Sequence, residues 1–331
     1  MDSNLLFFTG FEGCTSTTDL RQLFHHLEGY AGGSYTVRYS ATEGYWGSKA
    51  MLCQDVSDAF ASIYYKNLYQ VYVGGHIKIR TYSSTIDVYI RTGGNIQVNL
   101  VQDELMRVYV SGQVFDISVP VIFGVYYHYE AFVDTVTGTL IIKINGVEEF
   151  NQSGFAMNSS EIYRIRWGRQ IYDNLWVHKT KSLGMAICNY SVPVADGYYN
   201  AFSGEFTAHN DSETFYDKLA SNDGDTTYIH SSVPDAKFSC EYAEIPQGFQ
   251  AVGWAMQTKL KNTTGGGLLY NKDLLRYENV DYIQKAVPVP DVYSNRIPYR
   301  THYSTAPDGT ELTRDKLNVI EFGSTLVEDP S

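Results

Sequence analysis

The stretch that decides the fold is HIKIRTYSSTIDVYIRTGGNIQVNL, residues 76–100. Apolar and polar side chains alternate there in three runs, with His76 in the polar set of the first run. Alternation at period two is typical of half-buried antiparallel strands. Gly93-Gly94 separates the second run from the third, and this dipeptide predicts a tight hairpin because both positions tolerate positive φ. We therefore expect a meander of strands with one face in water.

Strand patterns continue on both sides of this meander. Residues 127–133 lead through turn residues 134–138 into a run at residues 140–144, and Asn145-Gly146 is a turn dipeptide that closes it. Further runs at residues 162–167 and 171–177 bring the count to about ten strands before residue 180. Strands at this spacing are typical of a sandwich or jelly roll.

Two short helices interrupt the strand pattern. Apolar residues at helical spacing within residues 20–27 follow Thr17 and Thr18, either of which could cap the first turn. Thr313 can cap a second helix near the end of the chain, with Leu312 and Leu317 in the positions of a hydrophobic staple.

Composition indicates the same fold class. The 331 residues include 28 Tyr, 16 Phe, 4 Trp and 28 Gly. Aromatic side chains favour strands and glycine supplies turns. The strand pattern breaks around residues 179–184, and the stretch from Pro193 to Asp225 has weak periodicity, which puts the domain boundary near residues 180–190. We therefore predict an all-β chain with a sandwich domain at residues 1–184 and a second, β-sandwich-like domain at residues 185–331.

Charge argues against two classes of partner. The chain has 25 Lys+Arg and 37 Asp+Glu, a formal charge of −12, and it contains no basic run. Nucleic acids and anionic membrane surfaces both need a cationic footprint, so neither is an expected partner. The N-terminus carries Asp2 where a signal peptide needs a base, and no apolar run approaches the roughly 20 residues of a membrane span.

The cysteines predict neither a metal centre nor a redox centre. Cys14, Cys53, Cys188 and Cys240 lie far apart, with no C-x-x-C motif and no histidine at ligand spacing. We expect buried or unpaired thiols, and the spacing leaves their disulfide state undecided.

Several segments resemble the laminin-G-like, concanavalin-A-like jelly rolls found in tailed-phage virion proteins. YYHYEAFVDTVTGTLIIKINGVEEF (126–150) is similar to the central hairpin of that fold, FEG (11–13) follows the first strand, and IYDNLWV (171–177) looks like the closing strand. The resemblance implies that the first and last strands pair and close one unit of roughly residues 1–180. SNDGDTTYI (221–229) and TELTRDKLNVIEFG (310–323) resemble the module that follows the jelly roll in phage structural proteins.

Catalytic patterns known from this fold are missing. Concanavalin-A-like glucanases carry E-x-D-x-x-E on one strand, and no such pattern occurs here. Glu148 and Glu149 are adjacent on a strand and point to opposite faces, and Glu130 and Asp134 are the other nearby carboxylates. We therefore predict no catalytic residues, no cofactor and no enzyme activity, which disfavours a glycoside hydrolase.

Metal ligands are also not predicted. His25 and His26 are neighbours on a predicted helix and splay apart, and His76 and His128 stand alone in separate strands. The loop at residues 221–227 offers acidic oxygens but lacks the later glutamate of a calcium loop. Asp173 matches a position that is often acidic in the resembled jelly rolls, some of which bind calcium, but Asn174 follows it, so paired carboxylates are missing.

Two functions remain after these exclusions. The resemblance implies a non-enzymatic component of a phage virion, assembled in the host cytoplasm with other virion proteins and copies of itself as fibre, collar, tail-tip or decorating protein. The alternative is a module that binds host surface glycan through exposed aromatic rings. Its candidate contact residues are Tyr45, Trp46, Tyr198 and Tyr199.

Overall fold

The computed structural model describes residues 4–327 except 12–13, 15, 29, 32–33, 36, 46–47, 54–58, 81–82, 93–96, 104, 111, 189–190, 201–205, 210–213, 221–225, 257, 259, 263–269, 285 and 290–304. The chain divides into two compact units, and the division along the sequence falls between residues 190 and 191. The first unit is residues 4–190, and the second contains residues 191–331. Strands dominate both units, which confirms the prediction of an all-β fold.

The first unit contains seventeen described strands and one helix. The strands are β1 (Leu5–Thr9), β2 (His26–Glu28), β3 (Tyr30–Ala31), β4 (Ser34–Tyr35), β5 (Val37–Ser40), β6 (Ala50–Cys53), β7 (Phe60–Tyr64), β8 (Gln70–Lys78), β9 (Ser83–Thr92), β10 (Gln97–Asp103), β11 (Leu105–Val110), β12 (Gln113–Pro120), β13 (Tyr126–Asp134), β14 (Thr139–Ile144), β15 (Val147–Gln152), β16 (Ile162–Gly168) and β17 (Ile171–His178), and the helix is α1 (Thr17–Leu23).

Two antiparallel sheets form a sandwich in this unit. The first sheet has the order β15-β14-β13-β8-β17-β6-β5, with β1 also paired to β17, and the second has the order β12-β11-β10-β9-β16-β7-β2. The pairing of β1 with β17 confirms that the first and last strands close the unit. Between the sheets, the buried Trp167 of β16 donates a hydrogen bond to the Tyr129 hydroxyl of β13 (2.6 Å).

The predicted hairpins are present, and the first helix differs from its prediction. β13 and β14 pair as expected, and β9 pairs with β10, although the Gly93-Gly94 turn lies outside the described residues. Helix α1 is capped by Ser16, not by Thr17 or Thr18, because Ser16 and Asp19 form a reciprocal capping box. The helix ends at Leu23, so the prediction that His25 and His26 lie on a helix is wrong: His25 follows the helix and His26 begins β2.

The second unit has eight described strands and two short helices. They are β18 (Pro193–Asp196), β19 (Thr207–Ala208), β20 (Ile229–His230), β21 (Lys237–Tyr242), β22 (Tyr270–Tyr277), β23 (Val280–Ile283), β24 (Val287–Pro288), β25 (Glu321–Val327), α2 (Phe215–Leu219) and α3 (Arg314–Leu317). Thr313 caps α3 as predicted, since its hydroxyl accepts a hydrogen bond from the Lys316 amide.

One antiparallel sheet organises this unit, in the order β18-β21-β25-β22-β23 with β24 beside β22. One face of the sheet is apolar and packs on two clusters, one around Phe215 and Phe238 and the other around Trp254 and Leu275. Because side chains alternate along a strand, the opposite face carries Lys237, Ser239, Arg276, Asp281 and Glu321. No helix among the described residues is long and apolar enough to cross a membrane.

Candidate functional site

Tyr198 and Tyr199 follow the end of β18 on the polar face of the second unit. The Tyr198 amide donates a hydrogen bond to Glu321 Oε2 (2.7 Å), and the Tyr199 amide donates one to Ser239 Oγ (3.1 Å). A Cβ atom on Gly197 would lie 2.4 Å from Glu321 Oε2, so glycine permits this close approach. The sheet therefore fixes the backbone that presents both tyrosines.

The Tyr198 ring is exposed but held in place. Its side chain is 64% exposed, and the guanidinium carbon of Arg276 lies 3.7 Å from its ring centroid. The Tyr199 ring packs edge-on against it, with centroids 5.0 Å apart. A cation over one ring face is a favourable contact that also restricts rotation of the ring. Tyr198 is thus a rigid aromatic surface in contact with water.

Charged groups surround this ring. Asp281 accepts hydrogen bonds from Arg276 Nη1 (2.8 Å), Lys237 Nζ (2.9 Å) and the Tyr199 hydroxyl (2.6 Å). Burial raises the pKa of Asp281, but the hydrogen bonds from Tyr199, Lys237 and Arg276 outweigh it and lower the pKa overall. The hydrogen bond to Asp281 raises the pKa of Lys237. We call Tyr198, Tyr199, Lys237, Arg276 and Asp281 the Tyr198 platform.

Tyr45 and Trp46 belong to the first unit, and Trp46 lies outside the described residues. The Tyr45 ring stacks on the His76 ring, with centroids 4.2 Å apart and planes at 17°. Its amide donates to Asp173 Oδ2 (2.8 Å). Asp173 therefore secures a loop through its contact with Tyr45. Glycan contact by Tyr45 and Trp46 stays a prediction.

Three histidines lie on the outer face of the first sheet, the face opposite the core. His128, His76 and Asp173 are directly opposite one another across β13, β8 and β17, and His178 is on the same face further along β17. His76 is 1% exposed, and neither of its ring nitrogens has a hydrogen-bond partner among the described residues. Sequence reasoning placed His76 and His128 alone; their ring centroids are 5.3 Å apart.

Burial sets the protonation of these histidines. Desolvation lowers the pKa of His76 to about 4, and the neighbouring His128 contributes in the same direction. Desolvation also lowers the pKa of His128, although the Glu130 carboxylate and the Gly184 backbone offset part of the effect. The pKa of His178 falls to about 4 through burial and the charge of Lys181. We call this surface the histidine face.

Two loops cover the histidine face, and we call them the first strap (residues 41–45 and 48–49) and the second strap (residues 179–188). In the first strap, the Ser48 hydroxyl donates to Asp173 Oδ2 (3.0 Å), and the Glu43 carbonyl accepts from the Tyr126 hydroxyl. In the second strap, the Ser182 hydroxyl donates to Glu130 Oε1 (2.6 Å). Outward polar side chains of the sheet are therefore buried by loops.

The second strap also depends on His178 itself. The amides of Thr180 and Lys181 both donate to His178 Nδ1, each at 3.1 Å. This nitrogen can accept only while it carries no proton. Neutral His178 therefore stabilises the turn with which the second strap begins.

Three other carboxylates named in the sequence analysis have structural partners. Glu130 binds the second strap through Ser182, Asp134 accepts from the Val136 amide in the β13–β14 turn (2.8 Å), and Glu148 accepts from Asn151. The acidic loop at residues 221–225 lies outside the described residues. Among the residues that the structure describes, no three His, Cys, Asp or Glu side chains gather as ligands for a metal ion.

The four cysteines form no disulfide with one another. Cys14, Cys53 and Cys240 are buried, as expected. Burial, with the charges of Asp196 and Glu321, raises the pKa of the Cys240 thiol to about 12. A thiol with so high a pKa stays protonated and is a poor nucleophile at neutral pH.

Comparisons with known proteins concern the fold. No protein-family model and no curated protein matches the chain. Domain 4 of AbnA, a GH43 extracellular arabinanase from Geobacillus stearothermophilus, is 16% identical, with a TM-score of 0.39 over 53% of this chain and 92% of that chain. A GH131 β-glucanase catalytic domain from Podospora anserina is 13% identical, with a TM-score of 0.36 over 56% and 99%.

The carbohydrate-binding module CBM66 from Bacillus subtilis is 14% identical, with a TM-score of 0.27 over 42% of this chain and 90% of that chain. These structures include a catalytic domain and a carbohydrate-binding module. A shared fold at such low identity does not distinguish an enzyme from a binding protein.

Proposed function

We propose that this chain binds carbohydrate without cleaving it and that the Tyr198 platform contacts the sugar. The observation that carries the proposal is the exposed Tyr198 ring held against the Arg276 guanidinium. A rigid tyrosine offers a large amphipathic surface at low entropic cost, and the C–H face of a pyranose ring is a suitable partner for it. A flexible exposed tyrosine would lose more entropy on binding.

Polar groups beside the Tyr198 ring support the proposal. The Tyr199 hydroxyl, the Lys237 ammonium and the Asp281 carboxylate form one hydrogen-bonded group beside the ring. Sugar-binding sites need a few polar groups that fix orientation next to an apolar surface. Hydrogen bonds to charged partners are stronger than those between neutral groups. Sugar hydroxyls that bond to Lys237 or Asp281 would therefore be bound more strongly than by neutral side chains.

The charge balance favours an uncharged sugar. Lys237 and Arg276 both pair with Asp281, so neither cation needs an external anion. The whole chain carries a formal charge of −12, which repels acidic polysaccharides at low ionic strength. We therefore expect neutral glycans to bind better than uronate-containing or sialylated ones.

Replacing Tyr198 by alanine should weaken sugar binding by about 1–3 kcal/mol, because the stacked ring is removed. The measurement is a glycan array on the full chain, followed by calorimetric titration with the strongest neutral ligand. Tyr198→Phe keeps the ring and should bind nearly as well as the original chain. Tyr69→Ala removes a tyrosine that is 43% exposed in the first unit and serves as the matched control.

Two results would count against carbohydrate binding. An array without signal from the folded chain removes the function altogether. Binding that survives Tyr198→Ala removes the Tyr198 platform as the site, and it directs attention to Tyr45 and Trp46 in the first unit.

A second candidate is assembly into a tailed-phage virion, with other virion proteins and copies of this chain as partners. Besides the sequence resemblance, it is supported by apolar side chains exposed where β12 leads into β13. Ile122, Phe123 and Val125 are 57%, 42% and 41% exposed. Apolar side chains grouped on a surface are typical of protein–protein contacts. In this role the chain would be made in the host cytoplasm and reside in the virion.

If this surface joins copies of the chain, Ile122→Asp combined with Phe123→Asp should convert an oligomer to a monomer, because the charges would be buried at the contact. Size-exclusion chromatography with light scattering measures the change. Val136→Asp, at an exposed turn residue, is the control. A monomeric original chain, or particles that antibody against residues 190–331 does not label, would contradict the virion role.

A further inference from the structure

We propose that acid releases both straps from the histidine face of the first unit and uncovers the aromatic side chains beneath them. The proposal concerns residues 4–190 and is independent of the Tyr198 platform. It rests on three buried histidines that share one face of one sheet, on the Tyr45 ring of the first strap stacked over His76, and on two amides of the second strap that require a neutral His178.

The first strap lies directly on His76. Tyr45 of the strap stacks on the His76 ring at 4.2 Å, and Asp173, which holds the strap through the Tyr45 amide and the Ser48 hydroxyl, is the cross-strand neighbour of His76. A proton on His76 places a cation in a site without a hydrogen-bond partner for it among the described residues. The imidazolium then competes with the strap for Asp173, and hydration of the charge requires Tyr45 to move.

The second strap begins on His178. Its Nδ1 atom accepts the amides of Thr180 and Lys181, and a protonated ring has no acceptor to offer them. His128 lies beside the same strap through the Gly184 backbone, and a second proton there would repel one on His76 across 5.3 Å. Protonation therefore breaks contacts of both straps.

Other charged and titratable groups lie on the same face of the sheet or on the straps. Those on the sheet are Arg38 of β5, Tyr72 and Lys78 of β8, Tyr126 and Glu130 of β13, Lys143 of β14 and Asp173 of β17, and those on the straps are Glu43, Tyr45, Lys181 and Lys49, whose ammonium donates to the Cys14 carbonyl. The two buried carboxylates, Asp173 and Glu130, each bind a strap hydroxyl, Ser48 or Ser182. Both carboxylates therefore stabilise the closed straps, and Glu130 also offsets part of the effect of burial on the pKa of His128 while its strap is closed.

The direction of the pH effect follows from the two states. With the straps closed, burial holds the pKa of His76 and of His178 at about 4, and with the straps open each ring regains the ordinary pKa near 6.5. The open state thus binds more protons, and acid favours it below pH 6.5. Each histidine should raise the opening equilibrium constant about thirty-fold at pH 5 relative to pH 8, and the effect levels off below pH 4.

The outer face of the sheet, which carries the histidines, also carries aromatic rings. Trp176 is buried and lies over Gly74, where an added Cβ would be 2.2 Å from the indole ring. Tyr72 and Phe132 pack beside each other with centroids 4.4 Å apart. These residues share the outer face with the histidines, since they occupy alternate positions of the same strands. Trp176 is 1% exposed, whereas Tyr72 and Phe132 are half-buried, so opening the straps would chiefly expose the Trp176 ring.

Hydrogen exchange of the full chain at pH 8 and pH 5, corrected for the chemical rate, tests the proposal. Peptides spanning residues 41–49 and 179–188 should lose protection at least about thirty-fold at pH 5, whereas peptides of β13 and β14 should not. The variant His76→Phe with His178→Asn keeps the ring stack and an Nδ1-like acceptor but cannot titrate, so the pH effect should largely disappear. His230→Asn, at an exposed position in the second unit, is the control.

Two outcomes would overturn the proposal. One is strap protection that does not depend on pH in the original chain, and the other is the same pH dependence in the double variant. If that variant loses protection in β13 and β14, and so fails to fold, the original chain decides alone. NMR titration of the histidine rings in the original chain is then the test. Some rings must titrate well below pH 6.5, in the pH range over which strap exchange changes. If all eight histidines titrate near pH 6.5, the mechanism is rejected.

Discussion

Replacing Trp167 by alanine should lower the free energy of unfolding of the first unit by about 5 kcal/mol, the upper end of the range for buried aromatic residues. The indole is fully buried and packs against Phe7 and Phe24, each with centroids 5.9 Å away. Its removal leaves a cavity between the two sheets and deprives the Tyr129 hydroxyl of its donor. Urea unfolding, followed by exchange of the β13 and β14 amides, measures the loss.

Conservative variants separate packing from hydrogen bonding at this position. Trp167→Phe and Tyr129→Phe each leave one buried polar group without its partner and should each cost about 1–3 kcal/mol beyond any packing loss. The double variant removes both polar groups, so its cost should be clearly less than the sum of the two single costs. A Trp167→Ala loss below about 1 kcal/mol, or strictly additive phenylalanine variants, would contradict this account of the core.

The regular parts of the first unit could be predicted because local pattern determines them. Alternation predicts β8, β9 and β10, and Asn145-Gly146 takes positive φ at both positions (52° and 83°), as the turn between β14 and β15 requires. The seven strands beyond the predicted ten or so include two-residue strands such as β3 and β4, which are too short to show a period.

The histidine face could not be predicted in this way. Alternation places His76 on the polar side of β8, which is correct, but it says nothing about what covers that side. β8 pairs with β13 and β17, strands about 50 and 100 residues later, and that order brings His128 and Asp173 beside His76. The straps are irregular segments whose contacts depend on the completed sheet. Burial of these polar residues is therefore a tertiary property.

The Tyr198 platform was partly accessible from sequence. The sequence predicts an exposed tyrosine pair there, but it does not predict the charged partners of that pair. One signal was available: the Glu278-Asn279 turn, with φ of 51° and 65°, joins β22 to β23 and sets Arg276 opposite Asp281. A two-residue turn at Glu278-Asn279 places Arg276 opposite Asp281, so the register of the hairpin predicts this ion pair. Its position beside Tyr198 depends on the order of the whole sheet, with β21 and β25 between β18 and β22.

Gly323→Ala should destabilise the second unit by about 3 kcal/mol or more, because overpacking a close backbone contact forces the strands apart. Gly323 lies in the middle of β25, opposite Ser239 of β21 and Leu274 of β22. A Cβ atom there would lie 1.8 Å from the Phe238 carbonyl oxygen, which is backbone and cannot move independently. Thermal unfolding with exchange of the β21 and β22 amides measures the loss.

The next residue supplies the matched control, because Ser324→Ala changes the same strand without adding an atom. Ser324 is fully buried, and its hydroxyl has no hydrogen-bond partner among the described residues. Removing a buried polar group that lacks a partner relieves a desolvation penalty, so this variant should be neutral or slightly more stable. Equal losses from Gly323→Ala and Ser324→Ala would mean that β25 tolerates no change at all. A loss confined to Gly323→Ala identifies the backbone contact with β21 as the constraint that fixes the sheet beneath the Tyr198 platform.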